Sequence, residues 1–97
     1  MKPRGTLTID DGAYAALNRG KSLLAAGVIV IEGQFEKGDT VSIINQKGEV
    51  CGHGLIAYDS IEARRIMGQK SQDAALDLGY EKVHPIIHRD NLVWESS

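Results

Sequence analysis

The sequence predicts a small mixed α/β domain, mainly β, of about five or six short strands with two or three short helices. Three observations carry that reading. The chain has 97 residues, enough for one modest hydrophobic core and too few for a multi-domain enzyme. Short β-branched runs recur along it, separated by glycine-containing turns. Helix start and stop signals interrupt them in only a few places, so a small barrel fits better than a doubly wound sheet, in which helices alternate with strands throughout.

Thr6-Leu7-Thr8-Ile9-Asp10 alternates polar and apolar residues, the pattern of a strand with one buried face. Asp10 or Asp11 then caps a helix running to about Arg19, with Ala13, Tyr14, Ala16 and Leu17 as its apolar stripe and Gly20 at the left-handed position that ends it. Gly20-Lys21-Ser22-Leu23-Leu24-Ala25-Ala26-Gly27 is a loop bounded by glycines. The run Val28-Ile29-Val30-Ile31 that follows is too apolar on both faces for an edge strand. Gly33 and Gly38-Asp39 punctuate the chain before a strand over 40–44, and Asn45-Gln46-Lys47-Gly48-Glu49 turns it into another over 50–58, so the three strands read as a β-meander. Gly52 and Gly54 leave the last of them without side chains to pack, which suggests a bulge or sharp bend. Asp59 and Glu62 have capping-box spacing and open a helix that Gly68 ends, with Ile61, Arg65 and Ile66 near one face. Ser71 caps a further helix over 72–78 that Gly79 terminates, and strands over 83–87 and 91–94 close the domain around His88-Arg89-Asp90.

Hydrophobic residues make up 42% of the chain and charged residues 25%, a globular balance that excludes a disordered tail or a fibrous repeat. Eleven basic residues against thirteen acidic ones give a formal charge of −2. With a pI near 5.8, the chain lacks the basic excess of many dedicated nucleic-acid binders, so any such binding must come from a local patch. Cys51 is the only cysteine, which rules out an internal disulfide framework and suits a reducing compartment. The longest apolar stretch, 23–31, is about ten residues short of a membrane span, and the amino terminus does not resemble a signal peptide. The expectation is a cytoplasmic domain with no membrane partner.

Gly20-Lys21-Ser22 resembles the end of a phosphate-binding P-loop, yet Ala15 stands where that motif needs its first glycine, and helix precedes strand instead of following it. The segment reads more simply as a helix cap and a loop packing Leu23 and Leu24 into the core, with glycines and a cation that would also admit a phosphate chain. Gly52-His53-Gly54 is only a fragment of a dinucleotide fingerprint, because Ala57 replaces the last glycine. Cys51, His53, His84 and His88 have the right chemistry for zinc but the wrong spacing: Pro85 keeps His84 and His88 off one helical turn. Neither Ser22 nor Ser42 lies in a nucleophile elbow, and Asp10-Asp11 are explained as caps, so no catalytic residue and no metal site is assigned. The basic residues Arg19, Lys21, Arg64, Arg65, Lys70 and Arg89 would make a phosphate-binding face if the fold brought them together.

Gly5-Thr6-Leu7-Thr8-Ile9-Asp10, the loop from Gly20 through Val28, Glu32-Gly33-Gln34-Phe35, Lys37-Gly38-Asp39 and Gly54-Leu55 through Tyr58-Asp59-Ser60 together resemble a PUA domain, the small pseudo-barrel found in pseudouridine synthases and archaeosine transglycosylases. The flanks Lys2-Pro3-Arg4-Gly5-Thr6 and His88-Arg89-Asp90-Asn91-Leu92-Val93 are similar to the carboxy-terminal PUA domain of the bacterial glutamate 5-kinase family. The resemblance implies a PUA-like pseudo-barrel over 1–97, excised from the carboxy terminus of a longer protein, with 1–5 a linker remnant. It implies a parent that phosphorylates the γ-carboxylate of glutamate with ATP and magnesium, opening proline biosynthesis under proline feedback. Both cofactors would belong to a preceding amino-acid-kinase domain, leaving this domain without a cofactor and as a modulator of that partner in a multimeric parent. A second implication is structured RNA. PUA domains of RNA-modifying enzymes use the first helix, the loop after it and the last strand, which points here to Arg19, Gly20, Lys21, Ser22, Leu24 and Gly27, with Arg89 added from the closing segment. Backbone and shape readout would suit that loop, while Asp10, Asp11 and Asp90 nearby weaken the electrostatic part.

Overall fold

Leu7 and Ile9 lie two apart on one strand, and Val41 and Ile43 two apart on another; all four side chains are buried, as alternation requires of half-buried strands. In the computed structural model, which describes residues 2–95, they sit at the centre of a five-stranded sheet. Its strands are β1 (Gly5–Ile9), β2 (Val28–Gly33), β3 (Thr40–Ile44), β4 (Val50–Leu55) and β5 (Leu92–Trp94), in the order β2-β1-β3-β4-β5. The β1–β3 pair is parallel and the other neighbours are antiparallel. The helices are α1 (Asp11–Asn18), α2 (Ser60–Ile66) and α3 (Ser71–Leu78), with single 3₁₀ turns at Ala25–Gly27 and Arg89–Asn91. The fold is thus mixed and mainly β.

Several expectations are corrected. The run 28–40 does not continue into a meander, because β1 inserts between β2 and β3. β2 is consequently an edge strand, and Ile29 and Val30 are exposed. The register shifts between Thr8 and Ile9, so that Ile29 bulges out and Val28 turns to the same buried side as Ile31. The strand read over 50–58 ends at Leu55: the N–H of Ile56 turns to the carbonyl of Asp39, and that of Ala57 to the carbonyl of Ile86. The segment 83–87 is no ladder strand, although Ile87 forms an isolated antiparallel bridge with Leu23. That bridge joins the connection leading into β2 to the connection leading into β5, so the two edges of the sheet are drawn together into a pseudo-barrel. Gly5 is already the first residue of β1 and the N–H of Arg4 donates to the carbonyl of Thr40, so these two residues, read with 1–3 as a linker remnant, belong to the fold; Met1 falls outside the described residues.

The helix ends follow local chemistry closely. The carboxylate of Asp10 accepts from the N–H of Ala13 at 2.7 Å, and that of Asp59 from the N–H of Glu62 at 2.8 Å, each satisfying a donor the helix leaves open. Gly20 (φ 77°) closes α1: its N–H donates to Leu17 and the N–H of Lys21 donates back to Ala16, a Schellman arrangement that needs a left-handed residue at this point. Ser71, read as a cap, is instead the first residue of α3; Lys70 takes the cap position and its side chain makes no capping bond.

Leu7, Ile9, Leu17, Leu23, Val28, Val41, Ile43, Ile56, Ile66, Ile86 and Ile87 are almost wholly buried and form one self-contained core. At β4, the register shift between Ile43 and Ile44 places a bulge at Cys51, beside the two glycines that suggested one. The glycines themselves serve close packing. A Cβ on Gly54 would lie 2.7 Å from both the carbonyl oxygen of Asn91 and a methyl of Ile87, and one on Gly52 would collide with the carbonyl of Val93. The expectation is that Gly54→Val destabilises the domain by about 1 to 3 kcal/mol, measured by urea unfolding, because backbone blocks its relief. A second unfolding comparison checks the caps: Asp59→Ala should cost about 1 kcal/mol and Ser71→Ala less than about 0.5 kcal/mol.

Candidate binding groove

The Schellman turn at the end of α1 reverses the chain, and the loop then returns along the helix. The N–H of Asp10 donates to the carbonyl of Gly27 at 2.9 Å, so the loop's far end is tied to the start of α1. A Cβ on Gly27 would lie only 2.5 Å from Cβ of Ala13; glycine there allows loop and helix to touch. The result is an open groove of about 540 Å³ lined by Asp10, Gly12, Ala13, Ala16, Lys21, Ser22, Leu24, Ala26 and Gly27. Its walls are chiefly methyl and methylene groups, with Lys21, Ser22 and the Asp10 carboxylate supplying polarity.

Of the residues singled out in the sequence, Lys21, Ser22, Leu24 and Gly27 line this groove. Arg89 is brought to its rim, because its N–H donates to Oγ of Ser22 at 2.9 Å across the chain. Arg19 and Gly20 do not line it; they form the exposed helix end beyond. Leu24 is not packed into the core beside Leu23 but is 49% exposed, which turns its side chain into groove lining. Sequence reasoning passed over the contributions of Gly12, Ala13, Ala16 and Ala26. Small residues on one face of a helix facing a glycine are the signal that was available for them.

Arg64, Arg65 and Lys70 do not line the groove. Arg64 donates to the carbonyl of Gly33 at 2.6 Å, and Arg65 pairs with Asp77 at 2.6 Å to pin α2 to α3. Hydrogen bonds from Gln69 and then Arg65 hold the Asp77 carboxyl below its usual range. The hydrogen bond from Tyr80 to Glu62 raises the Tyr80 phenol, and burial pushes the Cys51 thiol up. These shifted groups all lie outside the groove, and each shift has a structural cause. The chemistry available in the groove itself is recognition: backbone proximity, a cation, a hydroxyl and apolar contact.

A PUA domain profile matches residues 5–75. The chain belongs to the PUA domain family. Glutamate 5-kinase of Brucella anthropi is 52% identical over 93 residues, covering 96% of this chain and 25% of that protein. Glutamate 5-kinase of Brucella ovis is 48% identical over 93 residues with the same coverage. The match falls on their C-terminal PUA region, so the chain spans about a quarter of the length of these relatives. Among solved structures, a PUA domain of Aeropyrum pernix in complex with tartrate gives a TM-score of 0.64 at 23% identity, over 88% of this chain and 41% of that one. An H/ACA ribonucleoprotein bound to a substrate RNA gives 0.67 at 22% identity, over 96% and 24%. At those identities the likeness concerns the PUA fold alone.

Gly27→Val tests whether the groove depends on contact between loop and helix. The added methyls meet Ala13, so the substitution should cost about 1 to 3 kcal/mol and shift the amide resonances of Ala13, Lys21 and Leu24. Unchanged resonances at those positions would show that the groove does not depend on this contact.

Proposed function

We propose that this chain is the carboxy-terminal PUA domain of a glutamate 5-kinase, acting without chemistry of its own to modulate the amino-acid-kinase domain that precedes it. The observation that carries the reading is the 48% to 52% identity over 93 residues, which reaches almost the whole chain. On this reading ATP, magnesium and glutamate are held by the kinase domain, and the protein works in the cytoplasm within a multimeric enzyme. Among the described residues no helix is long and apolar enough to cross a membrane.

A second reading, recognition of structured RNA through the loop from Gly20 to Gly27, is favoured by one feature of the geometry. The Ser22–Arg89 bond gathers Lys21, Ser22, Leu24, Gly27 and Arg89 around one groove, with Arg19 at the adjoining helix end. The H/ACA ribonucleoprotein that shares the fold is bound to RNA.

The decisive comparison uses the complete kinase with and without residues 5–95. Removal should leave catalytic turnover in place while shifting the proline concentration for half-inhibition, or the size of the oligomer, several-fold; no change in turnover, feedback or assembly would overturn the modulating role. Anisotropy of a labelled hairpin RNA titrated with the domain separates the second reading. Modulation alone predicts no binding, whereas affinity that prefers the hairpin to a matched single strand, falls only modestly with salt and weakens with Lys21→Ala would establish RNA recognition.

A further inference from the structure

The chain joins the fold at a fixed point. The N–H of Arg4 donates to the carbonyl of Thr40 at 2.8 Å, and its own carbonyl lies so close to Gly33 that a Cβ there would sit 2.6 Å from it. Whatever precedes Lys2 is therefore delivered beside the turn formed by Gln34, Phe35 and Glu36. That turn is fastened to α2. The N–H of Ser60 donates to the carbonyl of Phe35 at 3.0 Å, the N–H of Phe35 donates to Oγ of Ser60 at 3.3 Å, and Arg64 donates to Gly33.

Two shallow cavities of about 560 and 610 Å³ meet at this end of the molecule, sharing Arg4 and Gln34. One extends past Ile61 and Arg64; the other lies under Lys2 and Pro3. Ile61 is 77% exposed, although it stands in the first turn of a helix whose Ala63 and Ile66 are fully buried. A single exposed isoleucine needs no explanation, but this one lines a concave surface at the place where the polypeptide arrives.

We propose that the surface centred on Ile61 and rimmed by Arg4, Gln34 and Arg64 is where the preceding kinase domain docks. The proposal rests on the reading of this chain as the carboxy-terminal domain of a glutamate 5-kinase. The matched relatives are about four times as long and match at their C-terminal region, so about three-quarters of such a protein is attached through Lys2. Attachment within one polypeptide holds the partner at an effective concentration of about the millimolar range where the connection is short, and a modest surface then suffices. One apolar centre within a polar rim is also the composition of interfaces between domains of one chain, which are more polar than those of obligate dimers. The charges here balance: Lys2, Arg4 and Arg64 stand against Glu36, Asp39 and Asp59. Asp39 and Asp59 are engaged by the N–H groups of Glu36 and Glu62, while Arg64 is anchored on Gly33 with its planar fork at the rim, ready for a carbonyl or carboxylate of the partner.

Hydrogen exchange tests this on the complete kinase and on the 97-residue chain, whose core is self-contained. Amides of 34–36 and 60–64 should exchange about tenfold more slowly in the complete kinase. Ile61→Asp should abolish that difference with no loss of protection in β1 and β3, whereas Leu76→Asp, which alters an 81% exposed residue of α3 outside both cavities, should preserve it. Equal exchange in the two proteins overturns the proposal, as does protection that survives Ile61→Asp. Protection of the isolated chain that rises with its concentration also overturns it, by making a second copy the occupant. An active kinase lacking the protection refutes the docking surface alone; a longer protein with no glutamate 5-kinase activity refutes the reading beneath it.

Discussion

The antiparallel bridge between Leu23 and Ile87 is the contact on which the shape of this molecule depends. β2 and β5 are the two edges of the sheet, and no ladder joins them among the described residues. The bridge pairs the connections that lead into each, with N–H to carbonyl distances of 2.9 and 3.3 Å. Both side chains are almost wholly buried, so each adds about 1.5 to 3 kcal/mol of hydrophobic stabilisation to a pair of bonds that alone would be marginal. Ser22 extends the pairing by accepting from the N–H of Arg89. Further along, Nε1 of Trp94 donates to Asn18 at 2.7 Å while its ring meets Tyr14 edge-on at 5.5 Å, so β5 is fixed to α1 as well. The barrel is closed by connections and side chains, and the groove lies where the closure occurs.

That closure places a steric condition on β4. For β5 to approach β4 closely enough to carry Trp94 onto α1, the backbone of Gly52 must pass against Val93 and that of Gly54 against Asn91 and Ile87. The same two glycines thus serve both the β4–β5 ladder and the segment that holds Leu23. Gly27 has an equivalent task on the other side, where the loop meets Ala13. Loop, helix and last strand are held in one geometry by these three absent side chains, and none of the three needs a left-handed backbone to do it.

What the sequence made legible was local. Asp10, Asp59, Gly20 and Gly79 act within four residues of their own positions, and the structure uses each as its chemistry suggests. The alternation in β1 and β3 was equally readable, since it reflects which face each residue presents. The errors arose where a partner lies far along the chain. Val28 to Ile31 looked fully buried because all four residues are β-branched, yet a bulge and an edge position leave Ile29 and Val30 in solvent. The run 40–44 was paired with its predecessor because adjacent strands usually pair, whereas its true neighbour on that side is β1. Leu24 was assigned to the core beside Leu23; only the Leu23–Ile87 bridge decides which of the two points inward. Part of the groove could be named in advance because the loop is continuous in sequence, and the wall from α1 was missed, because its one signal, small residues on a single helix face, points to a groove only when Gly27 is known to lie against it.

The makeup of the groove bears on how anything held in it would respond to solution conditions. Lys21 and Asp10 are the charged residues that line the groove, one of each sign, so its lining carries no net charge. Release of counterions, the term that gives most nucleic-acid complexes their affinity and salt dependence, is small under that balance. The apolar walls formed by Ala13, Ala16, Leu24 and Ala26 contribute through removal of surface from water, which moderate salt leaves almost unaltered. A ligand bound here would therefore owe its affinity to shape and to hydrogen bonds with backbone and Ser22, not to attraction at a distance. The rigidity conferred by the bridge then becomes the source of selectivity, because a preformed groove spends little binding energy on its own ordering.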